Sequence, residues 1–320
     1  MNNIAAAHRD SAAITLRKLL AVVNPCGGTR RGAAILGQVG PLFEAAGVRL
    51  DICLTQRAGH AREIAREADL IGYDGLCVLG GDGTIHEVAD GLMARSAGDV
   101  IPLGLIPAGS GNSMHQHLGC VDPLEAARRI LAGKTLPLDV MRVTMGANVI
   151  HCVNIVGWGA VAEINATAES LRWLGPMRYA LAAMRHILCA RPQQARITLD
   201  SQTLEGEFLL AIACNAAFTG KGMKAAPHAD LGDGKIDVIV VRRASRLQLA
   251  RLFTKIFDGS HLAMDCVEYY QTASLAIESD SRRLLNLDGE MKGRPPFDLQ
   301  VLPGALRVFG YKASWNACCF

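Results

Sequence analysis

The chain has 320 residues, half of them hydrophobic and 20% charged, with a formal net charge of +3. That length favours two domains and a large core, while so small a positive excess argues against nucleic acid as a partner. There is no run of 18 or more apolar residues for a spanning helix, and ten scattered cysteines without a CxxC pair point to free thiols in a reducing, cytoplasmic setting.

The first residues, MNNIAAAHRDSAAIT, lack the regions of a secretory signal and read as an Ala-rich tail. Residues 19–23 (LLAVV) predict a buried strand that runs into NPCGGTRRG. There Pro25 stops the strand, Gly27 and Gly28 open the backbone, and Arg30 and Arg31 bring cations. A helix is expected over 32–46, with Ile35, Val39, Leu42 and Ala46 on one side. A second strand over 48–54 ends at Thr55, before a short helix carrying Ala61, Ile64, Ala65 and Ala68.

The third unit is LCVLGGDGTIHEVADGL, residues 76–92. Its four apolar residues fit a buried parallel strand. Gly80, Gly81 and Gly83 bring the backbone within reach of a ligand's phosphates. After Thr84, Ile85, Val88, Ala89 and Leu92 follow helical spacing. A strand, a glycine turn and a helix N-terminus form an anion site. The carboxylate of Asp82 would repel bare phosphate there, so it calls for a magnesium ion or a proton-transfer role. A fourth strand over 100–106 enters PAGSGNSMHQHLG, with Gly109, Ser110, Gly111 and Asn112 in another glycine loop.

Four strand–loop–helix units imply a parallel α/β sheet with right-handed crossovers. Ligands bind such sheets at the carboxyl ends of the strands, which aligns Asn24, Thr55, Asp82 and Ser110 along one edge. Near residue 138 strands take over: 149–156, 195–199, 208–214, 236–241, 267–277, 284–287 and 297–302. Helical pieces are expected over 162–190, broken at Gly175-Pro176, and over 245–257. The expected organisation is an α/β domain over 17–138, a β-rich domain over 139–313, and tails at 1–16 and 314–320. Other motifs fall short. Gly133-Lys134-Thr135 lacks the opening glycine of a P-loop, and His115, His117 and Cys120 lack a fourth zinc ligand.

NPCGG, LGGDGTIHEVADGL, PAGSGNSMHQHLG, GKGMKAAPHADLGDGKIDV and LDGE stand in the order seen in the diacylglycerol kinase and sphingosine kinase family of lipid kinases, which the chain resembles over residues 19–309. The resemblance implies a phosphofructokinase-like (NAD kinase-like) α/β domain, a C-terminal β-sandwich-like domain and an ATP cleft between them. It implies transfer of the γ-phosphate of ATP, with Mg2+, to the primary hydroxyl of a membrane lipid: diacylglycerol, ceramide or a sphingoid base. Asp82 would be the base. Gly81, Gly83 and Thr84 would present N–H groups to the phosphates, with Asn24, Thr55, Glu87, Ser110, Gly111 and Asn112 around the nucleotide. Arg172 and Arg178 would reach the phosphates from the second domain, and Asp288 and Glu290 would face ATP and its magnesium. Two departures stand out. Cys26 occupies an arginine-like position of the NPxGG motif, and Asn165 falls where sphingosine kinases carry an acid for the sphingoid amine, with Glu163 as the nearby substitute. An amide pairs poorly with an ammonium, which favours a neutral head group. The resemblance also implies peripheral membrane association, with homo-oligomerisation open. The other readings are an NAD kinase, which shares GGDGT, and a non-catalytic lipid- or nucleotide-binding protein.

Overall fold

The buried apolar runs of the first third become four parallel strands. A computed structural model of the chain describes residues 13–27, 31–95, 101–160, 167, 191–220 and 222–310. Strands β1 (Lys18–Val23), β2 (Arg49–Leu54), β3 (Gly75–Gly80) and β4 (Leu103–Pro107) pair in the order β2-β1-β3-β4. Every residue of β3 and β4 is buried, as expected of parallel strands covered on both faces.

The covering helices are α1 (Gly32–Ala45), α2 (His60–Glu67), α3 (Asp82–Met93), α4 (Ser113–His117) and α5 (Pro123–Leu131). Phe43 and Val39 of α1 and Ile130 of α5 close one face; Ile85, Val88 and Leu92 of α3 and Ala61 and Ala65 of α2 close the other. Helix α3 starts at Asp82, ahead of the apolar spacing that announces it, so Asp82 is its first residue and its carboxylate meets the positive end of the helix dipole.

The second half supplies β5 (Thr135–Met145), β6 (Asn148–Cys152), β7 (Ile155–Gly159), β8 (Gln193–Leu199), β9 (Thr203–Phe208), β10 (Leu210–Cys214), β11 (Ile236–Val241), α6 (Arg246–Lys255), β12 (Val267–Thr272), β13 (Ser274–Glu278), β14 (Leu285–Leu287), β15 (Glu290–Lys292) and β16 (Phe297–Phe309). Six of these strands, in the order β12-β11-β10-β7-β14-β15, form an antiparallel sheet. The others extend the parallel sheet to ten strands through β16, which pairs with β13 near its start, with β4 at Val308 and with β5 along its length. Trp158, Phe208, Phe297 and Leu299 pack between the two sheets, making the sandwich-like half.

Three runs read as single strands divide between the sheets. Residues 149–156 become β6 and β7, 208–214 spans the last residue of β9 and all of β10, and 267–277 becomes β12 and β13. At the last corner the Ala273 N–H donates to Asp200 Oδ2 at 2.7 Å and the Ala273 carbonyl accepts from Val301 N at 2.9 Å. Strand β5 was not expected, because Pro137 interrupts its pattern. Pro137 pairs with Arg307 of β16, and β6 joins β5 only from Met141 onward, so the missing N–H falls on an open edge. The helical stretch expected over 162–190 lies outside the described residues.

Candidate active site

The carboxyl ends of β1 to β4 open into a cavity of about 640 Å3 that runs on to the six-stranded sheet. Its polar end takes in Asn24, Thr55, Gly81, Asp82, Gly83, Thr84, Glu87, Ser110, Gly111, Asp288 and Glu290. These are the site residues expected from the sequence, save Asn112 and the four that lie outside the described residues: Glu163, Asn165, Arg172 and Arg178. The other end is apolar, with Leu210, Ile212, Ile239, Val241, Phe253 and Ile256.

Two glycine loops meet in the floor. A Cβ on Gly81 would stand 2.9 Å from Gly109 Cα and push the loops after β3 and β4 apart, and one on Gly80 would strike Thr84 at 2.5 Å and push α3 off β3. Gly83 has nothing within 4 Å of a built Cβ and lines the cavity, which leaves its backbone bare to a ligand. Asn112, in the left-handed region at φ 54°, turns back on its own loop: its Oδ1 accepts from Gly109 N and its Nδ2 donates to Gly109 O, both at 3.1 Å. It shapes the loop and does not face the cavity. Asn24 Nδ2 donates to Thr84 Oγ1 at 3.1 Å, tying the first loop to α3.

Asp82 is held by the start of α4. Its Oδ2 accepts from Ser113 N at 3.1 Å and from Ser113 Oγ at 3.0 Å, and its Oδ1 accepts from Met114 N at 3.3 Å. A carboxylate offers about four lone-pair sites, so one site on Oδ1 is left. Burial pushes the Asp82 carboxyl above the usual carboxylate range, against the Ser113 and Met114 hydrogen bonds, and the charge of Asp288 adds to the rise. Ser113 was not singled out from sequence. Its signal was there, since an acid in one glycine loop needs donors from the next.

The rest of α3 works the same way. Glu87, expected beside the nucleotide, accepts from Gly59 N at 2.8 Å and Ala61 N at 3.1 Å, capping α2. Asp90 pairs with Arg62 and accepts from His151 N at 2.9 Å. His86, buried, has its Nδ1 3.0 Å from Asp288 Oδ2. Burial opposes the charged imidazolium, but the hydrogen bond to Asp288 and its charge outweigh it and the His86 pKa is raised. None of His86, Asp90 or His151 was expected at the site.

Asp288 sits in the two-residue turn between β14 and β15, where Asp288 (φ 51°) and Gly289 (φ 100°) both take positive φ. Asp-Gly is the pair such hairpin turns favour. Its carboxylate accepts from Val153 N (2.8 Å), Asn154 N (2.9 Å) and Ile155 N (2.7 Å), with His86 as fourth neighbour. These contacts fill its lone-pair sites. Expected from sequence to face magnesium, Asp288 has its lone pairs engaged by protein donors here, and it fastens the β6–β7 corner to α3. Glu290, half-buried and paired with Lys292 Nζ at 2.9 Å, keeps an oxygen available at the cavity wall. His115, His117 and Cys120 do not gather: His117 Nδ1 accepts from Ala217 N at 2.9 Å, and burial lowers the His115 pKa to about 3.

Residues 18–143 match the diacylglycerol kinase catalytic domain, and residues 154–310 match the YegS C-terminal NAD kinase beta sandwich-like domain. Over 285 residues the chain is 30% identical to a diacylglycerol kinase of Bacillus subtilis, covering 88% of this chain and 92% of that protein. It is 30% identical over 336 residues to sphingosine kinase 1 of Arabidopsis thaliana, covering 87% of this chain and 69% of the relative. A crystal structure of a diacylglycerol kinase from Bacillus anthracis superposes with a TM-score of 0.74 at 25% identity, covering 93% of this chain and 98% of that one. With GGDGT at the strand ends of one half, a β-sandwich as the other and relatives of both kinds matched over most of this chain, the chain belongs to the diacylglycerol kinase and sphingosine kinase family of lipid kinases.

Proposed function

We propose that the protein transfers the γ-phosphoryl group of ATP to the primary hydroxyl of a neutral membrane lipid, diacylglycerol or ceramide. One observation carries this reading: a single cavity has Asp82 and the glycine loops at one end and Leu210, Ile212, Ile239, Val241 and Phe253 at the other. An NAD kinase has no use for the apolar end, and a silent binding protein has no use for a carboxylate with one lone pair left over.

Phosphoryl transfer needs positioning, neutralisation of charge and a proton acceptor. The polar loops bind the nucleotide, with bare backbone at Gly83 and the N-terminus of α3 facing its phosphates. The lipid hydroxyl donates to the open site on Asp82 Oδ1. As its oxygen bonds to the γ-phosphorus, the bond to the bridging oxygen of ADP breaks and the proton passes to Asp82. A carboxylate this weakly basic takes the proton late, which contributes on the order of 10²–10⁴-fold. Mg2+ takes hard oxygen ligands, usually one or two carboxylates plus substrate phosphates. Glu290 fits that demand, and the ion would supply neutralisation of phosphate charge. Among the described residues no helix is long and apolar enough to cross a membrane; the lipid substrate itself calls for peripheral association with a membrane surface.

Labelled ATP offered with diacylglycerol, ceramide or sphingosine in mixed micelles, and separately with NAD, tests the reading. Label should appear in diacylglycerol or ceramide. Preference for free sphingosine would overturn the neutral head group, and transfer to NAD alone would overturn the lipid.

A further inference from the structure

Three potential metal ligands meet behind the polar end of the cavity, each from a different part of the fold. His86 comes from the second turn of α3, Cys152 from the end of β6 and Asp288 from the β14–β15 turn. Their ligand atoms all lie within 4.8 Å of one another, and no other such group occurs among the described residues. The three are 2%, 0% and 5% exposed. We propose that His86, Cys152 and Asp288 bind one thiophilic divalent cation, Zn2+ by its chemistry, at the root of the cleft.

The donor set selects the ion. Imidazole nitrogen, thiolate sulfur and carboxylate oxygen together suit Zn2+, whereas Mg2+ requires oxygen ligands. Zinc bonds nitrogen and oxygen at about 2.0–2.2 Å in tetrahedral sites, which sets those two atoms about 3.3 Å apart. His86 Nδ1 and Asp288 Oδ2 are already 3.0 Å apart. The ion enters where a proton now sits between them, so Asp288 needs no lone pair beyond those it uses. Two protons leave, one from Nδ1 of the doubly protonated His86 ring and one from the Cys152 thiol, and the imidazole stays neutral with its remaining proton on Nε2. Thiolate, carboxylate and Zn2+ then sum to zero, and no net charge is buried.

Without a cation the thiol stays protonated: burial, then the charges of Asp288 and Asp90, hold the Cys152 pKa well above its ordinary value. Three protein ligands leave the fourth position to water. Asn154, two residues after Cys152, has its Oδ1 buried without a partner in the cavity wall, an acceptor such a water can use. A bound ion would pin α3, and with it Asp82, to the β6–β7 corner, which gives thiophilic metals a means of stiffening the cleft.

Co2+ is a spectroscopic probe for such a site and needs no kinase activity to read, so its outcome is separate from that of the lipid assay. The full-length protein, freed of metal with a chelator, should take up one equivalent of Co2+ with a near-ultraviolet sulfur-to-cobalt band and intense tetrahedral visible bands. Cys152→Ser should abolish the sulfur band and weaken Zn2+ competition by more than the 10- to 100-fold typical of losing a supporting residue. Cys26→Ser should change neither. Because His86→Gln removes a buried contact, circular dichroism first checks its fold, and anomalous diffraction from Zn2+-soaked wild-type crystals gives an independent reading. The proposal is overturned by the absence of a sulfur band at one equivalent, by its full persistence in Cys152→Ser, or by a zinc peak away from Cys152 Sγ.

Discussion

Asp82 is a carboxylate with three of its lone pairs held by protein and one left over. Replacing it with asparagine keeps the shape and removes the acceptor, so Asp82→Asn should bind ATP normally yet lose about 10²–10⁴-fold in turnover. Retention of a tenth of the wild-type rate would remove Asp82 from the base role. Because the base must be ionised and its pKa is raised, turnover should fall on the acid side at a pH above the ordinary carboxylate value. Ser113→Ala deletes one bond to the charged form, worth roughly 1.5–3 kcal/mol. At 1.36 kcal/mol per pKa unit, the acid limb should move up by about one to two pH units, while a static limb would detach Ser113 from Asp82. Asn165 lies outside the described residues, but its chemistry still makes a prediction. Asn165→Asp should raise activity on sphingosine relative to diacylglycerol by about one to two orders of magnitude, the worth of one charge-assisted contact. A constant ratio would point to Glu163 as the partner of the amine.

At the scale of the element, α3 organises the site. Asp82, His86 and Asp90 stand four residues apart, on one face of a helix, and each grips a different neighbour: α4, the β14–β15 turn, and β6 with α2. Burial alone would raise the Asp90 pKa, but His151 and Arg62 drive it well below the usual range. The pair's contribution to stability is therefore complete above the unfolded carboxylate pKa and lost as pH falls through the depressed folded one. In Asp90→Asn, urea unfolding at neutral pH should show a loss of about 1.5–3 kcal/mol. That deficit should shrink as the medium is acidified. A deficit independent of pH would mean that packing, not charge, holds α3 there.

At the scale of the whole molecule, β16 makes one sheet of two halves, and Asp139 secures it. Fully buried, Asp139 accepts from Gly304 N at 2.6 Å, in the bulge of β16, and from Gly234 N at 2.7 Å. Asp139→Ala would strand both donors, each at a cost of roughly 1–3 kcal/mol. Unfolding followed by intrinsic fluorescence, with Trp158 in the sandwich core, should show a loss of about 2–6 kcal/mol for the two donors together. A loss under 1 kcal/mol would show that the bulge is held by its strands alone.

The phosphate-facing loops were legible in the sequence because their chemistry is local. A buried strand, glycines and a helix start are consecutive, and their meaning depends on spacing alone. Parallel order placed Asn24, Thr55, Asp82 and Ser110 at one edge for the same reason. The sandwich was less legible: apolar residues resume directly after each corner, so Asn154 in 149–156 and Thr272 and Ser274 in 267–277 read as polar positions within one continuous strand. The roles of Glu87 and Asp288 were hidden too, since a carboxylate beside a glycine turn looks the same whether it faces a ligand or accepts backbone N–H groups. Which it does depends on the donors brought to it, from Gly59 and Ala61 for one and from Val153 to Ile155 for the other. Sequence determined what the loops can bind. Only the tertiary structure decided which acids remain free to act, because a carboxylate's lone pairs are claimed by whatever donors the fold brings within reach.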